Sequence, residues 1–241
     1  MERSEQCGWR IWHYDLVGST NDVAQRLDTR LPCRPCDIII ADRQTKGRGR
    51  RGRCWISPKG NLYMSQLSEW RRPIGELVYV VALSAAQALL DEFPNADIKI
   101  KWPNDLMLDG KKLGGILIEK TKKDNVIVGI GINWQTAPDP KEVIYPVTCL
   151  ADKQVTTGPK VFCRHYLEHW RENTAKDFAD IRCKWLGLAH NREKFITVQQ
   201  NIKNRWSGRF IGIDEQGALL LQQDNNEVIK VVTGDVLFED E

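Results

Sequence analysis

The chain has 241 residues, of which 41% are hydrophobic and 28% charged. That is ordinary globular usage, and it excludes a disordered chain, a fibrous repeat and a coiled coil. The length suits one large domain, or one domain plus a small one, burying roughly 70–75% of the unfolded surface without disulfide staples. The net charge is +3, but Lys46-Gly-Arg-Gly-Arg-Arg-Gly-Arg53 alone holds five cations, so the rest of the chain is net −2. A mildly acidic globule with one concentrated basic loop is built to meet an anion. No run of 18 apolar residues suggests a spanning helix, and Met1 to Ile11 lacks a secretory apolar core. A cytoplasmic protein without membrane contact is expected. The seven cysteines are an odd number and read as reduced thiols.

In chain order, alternation predicts a strand in which Trp9, Ile11, His13 and Asp15 share one face. Gly18-Ser-Thr-Asn-Asp22 stops it and caps a helix running to Leu27 or Leu31, with Ser19 or Thr20 as the capping side chain. Asp37 to Asp42 reads as a buried strand, followed by the basic loop. Trp55 to Ser57 and Leu62 to Leu67 read as a hairpin around Pro58-Lys-Gly-Asn61. Glu76 to Phe93 is predicted helical, Ile98 to Trp102 a strand, and Leu106 to Leu108 a short strand. Asp109-Gly110 is a hairpin-turn signal, after which Leu113 to Glu119 and Asn125 to Asn133 pair as strands. Residues 135–158 read as loop, and Val161 to Trp185 as one long helix with Phe162, Tyr166, Trp170, Phe178, Ile181 and Trp185 on its apolar side. Gly187 to Glu193 is a linker. The four short strands beyond it predict a small all-β barrel that must lean on the larger domain.

Four constellations could carry chemistry. In the basic loop, glycines let the backbone approach a ligand, and arginines offer planar forks to phosphate or carboxylate oxygens. The alternatives are a solvated loop or a nucleic-acid patch, although the run is short for a nucleic-acid face. Five like charges predict a loop that is mobile alone and ordered by its ligand. In the second, Asn104 and Asp105 follow a proline at a strand end. Lys112 then sits beside a turn and before Gly114-Gly115, where it either grips an anionic oxygen or is an exposed turn lysine. The third is Val128-Gly-Ile-Gly-Ile-Asn133, whose glycines mark either a bulged core strand or a close approach to the backbone. It lacks the third glycine of a dinucleotide fingerprint. The fourth pairs Cys33-x-x-Cys36 with His165-x-x-x-His169. Both spacings suit zinc, but about 130 residues separate them and no structural metal is expected. No serine elbow, Walker loop or HExxH is present, so an enzyme here works by holding substrates and offsetting negative charge.

Taken as an ordered set, these motifs resemble the biotin–protein ligases. The set comprises Gly18-Ser-Thr-Asn21, Arg43 to Arg53 with Trp55, Asn61-Leu-Tyr-Met-Ser65, Lys101-Trp-Pro-Asn-Asp105, Lys112-Leu-Gly-Gly-Ile-Leu-Ile-Glu119 and Gly129-Ile-Gly-Ile-Asn133. Gly212 to Leu220 resembles the family's small C-terminal domain. Single motifs are weak, whereas the whole ordered set is specific. The resemblance implies an α/β (α+β) fold: a class II aminoacyl-synthetase-like, lipoate-ligase-like catalytic domain over 1–188 and an SH3-like β-barrel over 194–241.

It also implies a two-step reaction, in which biotin and ATP, with Mg²⁺, give biotinyl-5′-AMP, and a lysine of a carrier protein then takes the biotinyl group. By carry-over, Ser19, Thr20, Asn21 and Gln44 bond the ureido ring, and Arg48, Gly49 and Arg50 fold over biotin and the adenylate. Gly115 also lies at biotin. Arg50, Arg51, Arg53 and Trp55 meet the nucleotide, Lys112 holds the carboxylate, and Asn104, Asp105 and Asn133 face the nucleotide and metal. Lys112, Arg48 and Arg50 are the residues given catalytic roles. The implied partner is the biotin carboxyl carrier domain of acetyl-CoA carboxylase. Dimers occur in the family, but no interface is legible. Eighteen residues before Ser19 are too few for the helix-turn-helix of some members, so a ligase without DNA binding is expected. The competing readings are a lipoate or octanoate acyl transferase of the same fold, and a nucleic-acid module using the 46–53 loop.

Overall fold

The computed structural model describes all residues except 7, 31–36, 144, 154–157, 202 and 239–241. The Cys33-x-x-Cys36 pair therefore lies outside the described residues, as does Leu31. In chain order the strands and helices are β1 (Glu2–Gln6), β2 (Trp9–Tyr14), α1 (Thr20–Arg30), β3 (Asp37–Ala41), β4 (Leu62–Ser68), α2 (Ile74–Glu92), β5 (Ile98–Lys101), β6 (Asp105–Leu108), β7 (Lys111–Lys120) and β8 (Val126–Ile132). After them come α3 (Pro159–Thr174), α4 (Phe178–Gly187), β9 (Phe195–Gln199), β10 (Arg205–Ile213), β11 (Leu219–Gln222), β12 (Val228–Val231) and β13 (Asp235–Val236).

The chain divides into two compact units, one of Met1–Arg72 with Leu113–Pro159, the other of Pro73–Lys112 with Lys160–Glu241. In the first, the strand order is β1-β2-β3-β4-β8-β7, with β2 and β3 parallel and the other pairs antiparallel. Mixed pairing fits a sheet covered on one face by a helix. Here α1 lays Val23 and Ala24 on Ile39, Ala41, Leu67 and Ile127, with Tyr14 and Leu27 at the rim. Fully burying a side chain such as Val23 stabilises by roughly 1.5–3 kcal/mol, and it fixes where the start of α1 stands.

Strand β1 escaped the sequence reading because Glu-Arg-Ser-Glu-Gln has no apolar alternation. Among the described residues it pairs with β2 alone, Glu2 opposite His13 through Gln6 opposite Trp9, and its described side chains are exposed. The expected hairpin at Trp55–Ser57 does not form. Both edges of β4 are occupied, by β3 and β8, so the segment turns back on the basic loop instead. Trp55 N–H donates to the Gly47 carbonyl at 2.9 Å, and the Ser57 carbonyl accepts from Gln44 N–H at 3.4 Å.

In the second unit α2 buries its middle, from Leu77 to Leu89: it is the one described helix long and apolar enough to cross a membrane, and 61% of that stretch packs inside the protein. The predicted 161–185 helix is two helices. Asp177 caps α4 with a carboxylate that accepts Asp180 N–H at 2.9 Å, and that cap breaks the apolar phase between Trp170 and Phe178. The C-terminal strands form an antiparallel five-stranded sheet, β12-β11-β10-β9-β13. It does lean on its neighbours. The buried Lys101 donates to the Val236 carbonyl at 2.5 Å and lies over the Phe238 ring. Tyr79 donates to the Gly217 carbonyl at 2.5 Å and accepts the Trp102 indole N–H at 2.8 Å. Among the described cysteines all are free, and burial pushes the Cys163 thiol up to about 12.

Candidate functional site

The first unit gathers Ser19, Thr20, Asn21, Gln44 and Arg48 around the start of α1. Ser19, Thr20 and Asn21 are buried although polar, so their hydrogen-bonding groups need partners. For Thr20 and Asn21 the partners are local and specific. Gln44 Oε1 accepts from Thr20 N–H at 2.9 Å and from its hydroxyl at 3.2 Å, while Gln44 Nε2 donates to Ser57 at 3.1 Å. Gln44 thus serves a free donor at the helix start from outside the helix. The Ser65 hydroxyl, on β4, lies 2.7 Å from Thr20 Oγ1 and 2.5 Å from Asn21 Oδ1, and its one proton serves these two acceptors. Asn21 Nδ2 then donates to Glu119 Oε2 at 2.6 Å.

Glu119 also receives Arg48, through Nε at 3.2 Å and Nη2 at 3.0 Å. The remaining edge of that guanidinium meets Asp22 Oδ1 at 2.8 Å. Partial burial lowers the Arg48 pKa, but the bonds and charges of Glu119 and Asp22 outweigh it and hold the group above its ordinary value. The basic loop is therefore not five uncompensated cations: its first arginine is neutralised by two acids that the linear charge count could not place beside it. The residues missed from sequence are Ser65, Asp22 and Glu119: Ser65 and Glu119 stood inside quoted motifs and Asp22 beside one, but no motif pairs either acid with Arg48.

Beyond Arg48 the loop folds on itself. A Cβ on Gly47 would come within 2.4 Å of the Trp55 carbonyl and 2.5 Å of Ser57 Oγ, so glycine is required there. Gly49 N–H donates to the Arg53 carbonyl at 2.7 Å. Arg50–Gly52 make a 3-10 turn with Arg51 at φ 55°, left-handed, and Arg51 and Arg53 are exposed. A turn carrying outward arginines suits phosphate oxygens.

The alternatives for Gly129 and Gly131 are resolved. Strands β4 and β8 keep an unbroken register from Leu62 opposite Ile132 to Ser68 opposite Val126, so there is no bulge. A Cβ on Gly129 would meet Asn21 Oδ1 at 2.5 Å, and one on Gly131 would meet the Trp55 indole at 2.6 Å. The glycines make room for two site side chains. Gly115 pairs with Gly131 across β7 and β8. Asn133 is 2% exposed and donates to the Thr148 carbonyl at 3.0 Å, while its own carbonyl accepts Leu150 N–H at 3.0 Å. Asn61 Oδ1 accepts three consecutive N–H groups, those of Trp134, Gln135 and Thr136, at 2.9, 2.9 and 3.1 Å. These two asparagines order the chain that follows β8.

In the second unit Lys112 and Asp105 form an ion pair at 2.8 Å, with side chains 10% and 15% exposed. Lys112 is not an exposed turn lysine. Asn104 lies in the turn between β5 and β6 and is half-buried. His165 and His169 converge on Asp91, at 3.3 and 2.7 Å.

Residues 14–134 match the model of the biotin/lipoate A/B protein ligase family, and residues 196–238 match that of the biotin protein ligase C-terminal domain. The chain is 36% identical to the biotin–[acetyl-CoA-carboxylase] ligase of Paracoccus denitrificans, over 76% of this chain and 83% of that one. It belongs to the biotin protein ligases. A ligase of the same description from Mycobacterium tuberculosis is 31% identical, over 95% of this chain and 90% of its own. The solved biotin protein ligase of Aquifex aeolicus in complex with biotin and ATP is 27% identical, with a TM-score of 0.81, covering 94% of this chain and 97% of that one. As a biotin protein ligase, the chain carries the family's catalytic and C-terminal regions in the expected order.

Proposed function

We propose that the protein activates biotin with ATP and transfers it to a lysine of a biotin carrier protein. The observation that carries this reading is the polar set Ser19, Thr20, Asn21 and Gln44, of which the first three are buried and the last three are held by fixed partners. Such a set recognises a small ring that presents both donors and acceptors, and rejects analogues lacking them. The relatives' names support biotin as that ring and the biotin carrier domain of acetyl-CoA carboxylase as the acceptor.

In the first step a biotin carboxylate oxygen attacks the α-phosphorus of ATP, the α–β bridging P–O bond breaks, and pyrophosphate leaves. In the second, a neutral lysine amine attacks the acyl carbon, loses its proton, and AMP departs. Mg²⁺ arrives with ATP as part of that substrate. We assign Arg50, Arg51 and Arg53 to phosphate oxygens, and Gly49 to close backbone approach over the ligand. Trp55, Asn104 and Asn133 go to the nucleotide side and Gly115 to biotin. Lys112, with Asp105 orienting it, is assigned to the biotin carboxylate, where its charge helps most as the phosphorane becomes most anionic. We keep residues 1–188 as the catalytic part and 194–241 as the C-terminal part, a division supported by the two matching family models. A cytoplasmic setting is the compartment this chemistry implies, since ATP is its co-substrate.

The test is pyrophosphate release from ATP and Mg²⁺. Release that depends on biotin supports the reading. Release that depends on lipoate or octanoate, but not on biotin, supports the acyl-transferase relative. The nucleic-acid alternative is weakened by Arg48, whose charge is already balanced within the protein.

A further inference from the structure

Glu119 ends β7 one residue before its last position, and neither a charge count nor the roles carried over from the family assign it anything. Its carboxylate nevertheless joins two otherwise separate features. Oxygen Oε2 accepts from Asn21 Nδ2 and from Arg48 Nη2, at 2.6 and 3.0 Å, while Oε1 accepts Arg48 Nε at 3.2 Å. We propose that Glu119 is a positioning residue that uses one carboxylate to fix the Asn21 amide and to tether the root of the basic loop.

Both halves rest on geometry. An asparagine amide can turn over and exchange its donor and acceptor ends. Here Oδ1 faces the Ser65 hydroxyl at 2.5 Å and Nδ2 faces Glu119. A carboxylate accepts and cannot donate, so it forces the amine end towards itself and the carbonyl end towards Ser65. Glycine at 129 completes the fit, because a Cβ there would push on Oδ1. The polar floor is thus set before any ligand arrives, which spares ordering at the moment of binding.

The tether follows from charge. Arg48 meets Glu119 along its Nε/Nη2 edge and Asp22 at Nη1, so one cation faces two carboxylates. That balance disfavours a ligand anion at Arg48 and favours Arg48 as the anchor. The loop can then open and close about a fixed root instead of drifting as a whole. Charge-assisted forked pairs of this kind are the stronger hydrogen bonds of proteins.

Two measurements on the full chain separate this inference from the function on which its first half rests. Trypsin cleavage within 46–53 in ligand-free protein reads the tether with no reference to biotin. Glu119→Gln keeps an acceptor for Asn21 but drops the charge that holds Arg48. It is expected to accelerate that cleavage about ten-fold while the unfolding midpoint stays within a few degrees, since local opening and global unfolding are distinct. Glu119→Ala removes both roles. It is expected also to raise the biotin KM about ten-fold, with the ATP KM changed less than two-fold and the Glu119→Gln biotin KM changed less than three-fold. A carboxylate that merely supports the fold would move the ATP and biotin constants together and would give the two variants alike. Unchanged tryptic cleavage in Glu119→Gln would overturn the tether, and an unchanged biotin KM in Glu119→Ala would overturn the amide role. A wild-type protein that does not bind biotin would overturn the function and the amide role, while the cleavage result still decides the tether.

Discussion

Lys112 Nζ stands 2.8 Å from Asp105 Oδ1, and both side chains are largely shielded from water. The two residues flank a hairpin whose turn, Asp109-Gly110, has φ values of 50° and 74°. Asn-Gly and Asp-Gly are preferred in such turns because both central residues must take positive φ. Local turn chemistry therefore brings Asp105 and Lys112 together. A shielded pair holds the lysine aimed. Lys112→Ala is expected to lower biotin-dependent pyrophosphate release at least about 100-fold, the scale of losing one preorganised charge at a developing anion. It is also expected to cost about 1–3 kcal/mol of stability by leaving Asp105 without its partner. Adding Asp105→Asn should recover most of that stability and none of the activity. Normal release by Lys112→Ala, measured in a coupled phosphate assay, would remove the lysine from the chemistry.

Arg50 begins the 3-10 turn of the basic loop and is only partly exposed, whereas Arg51 and Arg53 are exposed. If the loop retains the adenylate, Arg50→Ala should speed dissociation of biotinyl-AMP roughly ten-fold, consistent with loss of one charge-assisted bond. Pre-formed intermediate, trapped and chased with excess unlabelled biotin, gives the rate. Unchanged retention would count against a lid role for residues 46–53.

Gly129 and Gly131 give a paired test of the two site side chains. Gly129→Ala places a methyl 2.5 Å from Asn21 Oδ1, and Gly131→Ala places one 2.6 Å from the Trp55 indole nitrogen. Each should destabilise by about 1–3 kcal/mol through overpacking. The functional effects should divide: Gly129→Ala raises mainly the biotin KM, Gly131→Ala mainly the ATP KM. Steady-state kinetics with each substrate varied in turn would show the division, and equal effects on both would refute separate roles for Asn21 and Trp55.

His190 carries a pH prediction. Burial, then the charges of Lys101 and Lys194, hold its pKa below the ordinary 6.5. The folded protein therefore keeps it neutral where the unfolded chain already binds a proton. Stability is full above about pH 6.5 and falls as pH drops through that value toward the lowered one. His190→Gln should flatten denaturant-measured stability across that window relative to the wild type. An unchanged slope would show that His190 is not the group responsible.

Much of this was legible in the sequence because it is local. The start of α1 follows from Gly18 to Asp22, the hairpin of β6 and β7 from Asp109-Gly110, and the buried strand β3 from its β-branched run. What escaped depends on pairing across distance. The exposed β1 has no apolar pattern, so only its neighbour β2 reveals it. Trp55 to Ser57 looked like a strand, but β4 had no free edge to accept one. A single apolar stripe hid the cap at Asp177 that divides α3 from α4. In the site, the polar residues at the start of α1 and the basic loop are legible as motifs. The acids that balance Arg48 are not, since Glu119 lies 71 positions away from it.

The most direct measurement mixes the purified protein with ATP, Mg²⁺, biotin and a biotin carrier domain, and follows the carrier by mass. The carrier is expected to gain one biotinyl group on one lysine, dependent on ATP and lost in Lys112→Ala. A carrier whose mass never changes, under conditions where the protein is folded and binds ATP, would contradict it.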